Sequence, residues 1–121
     1  MTLIEVLAAL TILTGATLGM AAFVGRFAHA TGENEARDTA VQLATDRLED
    51  VKGDPVYANI EADFKGTESS ISGYPGYTRQ TLVQHVGGTS SSNVDYKIVT
   101  VIVKGPGLDE PVSKTTIISN Y

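Results

Sequence analysis

The chain has no cysteine, its first proline comes only at Pro55, and no lysine or arginine precedes Arg26. Without cysteine there is no disulfide framework and no thiol chemistry, and thiol usage says nothing about compartment. Basic residues are few overall. Nine Lys and Arg against fourteen Asp and Glu leave a formal charge of −5 and a pI near 4.8. Broad electrostatic binding to nucleic acid needs a basic surface to replace counterions, so direct nucleic-acid binding is not expected.

Motifs that carry chemistry are missing as well. There is no Gly-x-Ser-x-Gly and no phosphate-binding glycine loop ahead of a helix. His29 and His85, the only two histidines, fall on different expected elements, whereas a metal needs three or four convergent ligands. No ordered series of oxygen ligands suits calcium. The reading is of a chain that is not an enzyme and uses no cofactor or metal. No Asn-x-Ser/Thr sequon occurs, and the Ser/Thr cluster at 67–70 reads as plain surface loop.

What the chain does have is a long greasy start. Residues 1–24 are apolar apart from small threonines and Glu5. At about 1.5 Å per helical residue the segment reaches roughly 36 Å, enough to cross the ~30 Å hydrocarbon layer of a bilayer. A carboxylate at the centre of a lipid-embedded helix costs roughly 2.5–3.5 kcal/mol, and less near an end. Glu5 therefore either uses the positive end of the helix dipole at the membrane edge or requires a partner.

The stretch Met1-Thr2-Leu3-Ile4-Glu5-Val6-Leu7-Ala8-Ala9-Leu10 resembles the mature N-terminus of type IV pilins and of the pseudopilins of type II secretion systems. In that family a basic leader is cut after a glycine, the new first residue is N-methylated, and a glutamate stands fifth. The resemblance implies that Met1 is a processed, N-methylated end and that Glu5 makes an inter-subunit salt bridge to a neighbour's N-terminal amine. Charge points the same way. Positive residues normally mark the cytoplasmic flank of a span, so Arg26 alone would reverse the topology, and a removed basic leader restores it.

Gly15, Gly19 and Gly25 each cost about 1 kcal/mol relative to alanine in a helix interior. Small residues four apart also let helices approach closely in lipid, so this region is expected to pack on neighbouring helices or to unwind locally. Beyond Arg26 the pattern turns amphipathic: Ala36, Ala40, Leu43, Ala44, Leu48 and Val51 recur at three- and four-residue steps, with acids and arginines on the other faces. Gly53 ahead of Asp54-Pro55 is a stop signal. One helix over about residues 2–52 is expected, with Gly32 as a weak point.

Residues 53–76 lack clean periodicity and read as a connecting loop, pinned by Val56, Tyr57, Ile60, Phe64 and Ile71. Runs rich in Val, Ile, Thr and Tyr at 77–86, 94–104 and 112–119 read as a three-stranded antiparallel meander with 98–103 in the central strand. The domains expected are a hydrophobic membrane or filament-core segment over 1–25 and a globular domain over 26–121, comprising the amphipathic helix half 26–52, the loop 53–76 and the meander 77–121. The fold class is α+β, a long N-terminal helix packed on a small antiparallel sheet, which again resembles the pilin fold. Residues 40–49, 77–79 and 95–103 look most like its minor-pilin branch.

The resemblance implies a structural subunit of an extracellular type IV pilus or related filament, serving adhesion or motility. It would form a homo-oligomeric helical filament with other pilins, after passage through an inner-membrane pool, a prepilin peptidase and an assembly machinery. Two alternatives stand beside it: a minor pilin or pseudopilin that primes or caps a pilus or a periplasmic secretion pseudopilus, and a single-span membrane-anchored binding module.

Overall fold

The computed structural model describes residues 1–120. Tyr121, the last residue of the expected meander segment, lies outside the described residues. The chain falls into two compact units, Met1–Asn34 and Glu35–Tyr121. Helix α1 runs over Leu3–Gly53, within one residue of the expected span at either end, and Gly15, Gly19, Gly25 and Gly32 all lie inside it without a break.

In the second unit the helix buries the apolar row that its spacing announced. Ala36, Ala40, Leu43, Ala44, Leu48 and Val51 are its buried residues. They meet Val83, Val99, Val101, Val103 and Val112 from the sheet, together with Ile60 and Tyr77. Small alanines let the helix come close, and β-branched valines fill a flat pleated surface. Burying each large aliphatic side chain stabilises the unit by about 1.5–3 kcal/mol.

The sheet has four antiparallel strands in the order β1 (Gly66–Glu68), β2 (Thr78–Gly87), β3 (Asp95–Lys104) and β4 (Val112–Ser119). The three long strands are those expected. Along β3 the residues Lys97, Val99, Val101 and Val103 are buried toward the helix, while Ile98 and Ile102 are half-buried on the opposite face. Gly87 ends β2 with a positive φ of 87°, and a side chain there would overlap the carbonyl of Val94, so the β2–β3 connection needs glycine.

The connecting segment corrects the expectation of three strands and a plain loop. It contains a single 3-10 turn at Tyr57–Asn59, a short helix α2 at Ile60–Phe64, and the edge strand β1. β1 pairs with β2 through Gly66↔Thr81, Thr67↔Gln80 and Glu68↔Arg79. Its residues carry no apolar alternation, so periodicity could not reveal it. A charged pair holds it instead: Arg79 Nε and Nη2 donate to the two carboxylate oxygens of Glu68 at 2.7 and 3.1 Å, and Arg47 Nε lies 3.7 Å from the same group. That arrangement keeps the Glu68 carboxyl below its ordinary range, chiefly through the Arg79 hydrogen bond.

The end of the described chain is held without a disulfide. Asp95 receives Asn120 Nδ2 at 2.9 Å and Tyr57 Oη at 2.9 Å, and His85 Nε2 lies at 2.7 Å. The Asn120 amide also donates to the Asp95 carbonyl at 3.1 Å. These bonds, from Asn120, His85 and Tyr57, hold the Asp95 carboxyl at about 2. Burial, and then the Asp95 carboxylate, push the Tyr57 hydroxyl up to about 12. Beside them Lys97, only 3% exposed, donates to the Tyr57 and Ala58 carbonyls at 2.8 and 3.3 Å and sits 4.6 Å from the Tyr57 ring centroid. Five groups from four segments thus form one polar clasp.

Candidate assembly site at the helix N-terminus

From Leu3 onward the first unit is all helix, and it is nearly all exposed. Leu3, Ile4, Leu7, Leu10, Ile12, Leu13, Leu18, Met20, Phe23 and Val24 each keep more than half of their surface uncovered. The helix is long and apolar enough to cross a membrane, and none of its most apolar window is buried within the chain. It is a candidate membrane anchor.

Within that surface the polar side chains are accounted for locally. Thr11 Oγ1 donates to the Leu7 carbonyl at 2.8 Å, Thr14 Oγ1 to Leu10 at 2.7 Å and Thr17 Oγ1 to the Thr14 carbonyl at 2.9 Å. A hydroxyl bonded to its own helix can sit in lipid or against another apolar helix without leaving a donor unsatisfied. Glu5 remains as the one ionisable side chain between Met1 and Gly25.

Glu5 closes a capping box. Its Oε2 accepts from the Thr2 amide at 3.3 Å, and its own amide donates to Thr2 Oγ1 at 3.4 Å. The Thr2 carbonyl takes the Glu5 and Val6 amides at 3.1 and 3.2 Å, so Thr2 is the N-cap and Glu5 the third helical residue. Both side-chain bonds are long and exposed. No ion pair joins Glu5 to the Met1 amine within the chain, and Glu5 Oε1 accepts no hydrogen bond from the described residues. Thr2-x-x-Glu5 is a readable cap signature, and it is the signal that marks Thr2 as part of the site.

The other expected site residues are placed without being brought together. Gly15, Gly19 and Gly25 lie on the helix, and a methyl group added at any of them would meet nothing within 4 Å. Nothing among the described residues therefore demands glycine at those positions. Of the histidines, His85 belongs to the clasp on Asp95. No family model matches the chain, and neither a curated protein nor a solved structure does.

Proposed function

We propose that this chain is a structural, non-catalytic subunit of a type IV pilus or pilus-like filament, held in a membrane before assembly and polymerised through its N-terminal helix. The observation that carries the proposal is the lone carboxylate of Glu5 in an exposed apolar helix, with one oxygen free of any bond from the described residues. In the bundle of helices at the filament core, that oxygen takes the N-methylated amine of Met1 from a neighbouring copy.

At an effective dielectric near 20, unit charges ~4 Å apart attract by about 4 kcal/mol. Leaving a buried charge unpaired costs about 3–5 kcal/mol, so register is enforced mainly against misplacement of the acid. The capping box keeps Glu5 occupied in the unassembled chain, and the weak geometry of its bonds makes exchange for an ammonium partner inexpensive. The resemblance of residues 1–10 to mature pilins and the α+β fold of the described chain support the same role.

The test is expression with a prepilin peptidase and the assembly machinery, comparing wild type with Glu5→Val. Membrane insertion is expected to be equal and filament yield to collapse for the variant, with mass spectrometry finding a methylated Met1 in the wild-type filament. Undiminished filaments from Glu5→Val would remove the salt bridge from the proposal.

A further inference from the structure

Two charges bracket the apolar stretch of the first unit. Glu5 and Arg26 are the only Asp, Glu, Lys or Arg residues ahead of Glu33. Helix α1 carries both without a break, so at ~1.5 Å per residue they stand roughly 32 Å apart, close to the ~30 Å thickness of a hydrocarbon layer. A membrane core fits between them and leaves neither charge in the oil.

The surroundings of Arg26 mark the same boundary independently. Its side chain is exposed, and among the described residues it has no salt-bridge partner. Beside it Phe23 and Phe27 stack with ring centroids 6.3 Å apart and planes 20° from parallel, and they stay 68% and 65% exposed. A helical side chain covers the turn N-terminal to its own Cα, so the Phe27 ring brings the apolar surface up to the level of the arginine. No large apolar residue follows Phe27 in the first unit. Glu33, about 10 Å further along the rod, is repelled by a layer of phosphates and belongs in water.

We infer that Arg26 is the depth anchor of this helix in a membrane: its guanidinium takes a phosphate of the lipid headgroups in the leaflet opposite Glu5. The inference rests on the reading of the chain as held in a membrane before assembly, and adds where along the helix the membrane ends. The spacing selects the occupant, because a lipid layer of that thickness sets a plane of phosphates at Arg26 while keeping Glu5 at the other surface. The chemistry agrees. A guanidinium carries paired N–H donors that match two phosphate oxygens, and its weak hydration suits the edge of an oily layer.

The chain has no cysteine of its own, so nitroxide labels placed singly at Ala8→Cys and Ala22→Cys report depth without background. The full chain is reconstituted in vesicles of phosphatidylglycerol and phosphatidylethanolamine, and in vesicles of phosphate-free galactosyl diacylglycerol. In the phospholipid, Arg26→Gln frees Phe27 and Ala28 to enter the hydrocarbon; the Ala22 label is expected to sink and the Ala8 label to rise by about one helical turn, roughly 5 Å. Wild type in the galactolipid is expected to shift in the same way, and Arg26→Lys in the phospholipid to keep the wild-type depth. Carbon–phosphorus dipolar NMR on guanidinium-labelled arginine is expected to show a contact to lipid phosphorus that Arg26→Gln loses. Labels that hold their depth in Arg26→Gln, or an arginine–phosphorus contact that survives it, would overturn the inference while the chain still floats with vesicles. A chain that does not float with them at all would remove the membrane-held reading and the inference together.

Discussion

Residues 1–34 and residues 35–120 satisfy their side chains in opposite ways. In the second unit apolar side chains are buried against one another, and even Arg79 and Lys97 find carboxylate, carbonyl or ring partners. In the first unit the helix runs unbroken and Thr11, Thr14 and Thr17 bond back onto it, yet the apolar surface faces outward. The contrast teaches that one part of this chain is finished as a single copy, whereas the other has its hydrogen bonds in place and its hydrophobic contacts still to make. Lipid or other helices can supply those contacts.

The comparison breaks most dramatically if one carboxylate in the first unit proves dispensable. Glu5→Val is expected to cut filament yield by more than about tenfold, the consequence of leaving an ammonium unpaired, while thermal unfolding of the second unit is unchanged. Filament counts by electron microscopy and near-ultraviolet dichroism of the tyrosines read the two halves separately. The converse change is Leu43→Ala, which removes a side chain only 2% exposed. It is expected to destabilise the second unit by about 2–5 kcal/mol without affecting membrane insertion.

Smaller effects sharpen the contrast. Glu68→Ala deprives Arg79, whose side chain is 11% exposed, of its bidentate partner. Because the carboxylate itself is 38% exposed, the loss is expected to be only about 1–2 kcal/mol in denaturant titrations. The clasp adds a pH dependence. The Asp95 carboxyl falls from 3.8 to about 2 on folding, so its contribution is complete above about pH 4 and is lost as pH falls toward 2. Tyr57 rises from 10.0 to about 12, so its contribution is complete below pH 10 and is lost as pH rises from there toward 12. Melting temperatures across both ranges, flattened at the acid end by Asp95→Asn, check the sign.

The smallest change is Gly15→Ala. With nothing within 4 Å of an added methyl, it is expected to stabilise the isolated helix by about 1 kcal/mol, read by dichroism in micelles. A filament defect in that variant would mean that the glycine is used between copies.

Much of this architecture was legible in residue order. The three- and four-residue steps from Ala36 to Val51 named the buried row of the helix, because period 3.6 leaves one stripe to cover. The strands at 78–87, 95–104 and 112–119 followed from β-branched runs between glycine-bearing links. β1 was not legible, since Gly66-Thr67-Glu68 is held by Arg79 and Arg47 rather than by apolar alternation. Nor was the clasp, whose members Tyr57, His85, Asp95, Lys97 and Asn120 come from separate segments and meet only when the sheet forms. At the N-terminus, Glu5 stood out by its charge in a greasy setting, whereas its bond to Thr2 was encoded in the Thr-x-x-Glu spacing and was masked by the more conspicuous apolar run.

The back-bonded threonines have a consequence for how such a rod changes surroundings. Moving it from hydrocarbon into a sheath of like helices exchanges one oily medium for another and requires no rearrangement of Thr11, Thr14 or Thr17, whose hydroxyls travel with their own carbonyls. In the filament proposed above, the polar transaction left for that journey would be at the tip, where a carboxylate would trade a backbone amide for a neighbour's cation.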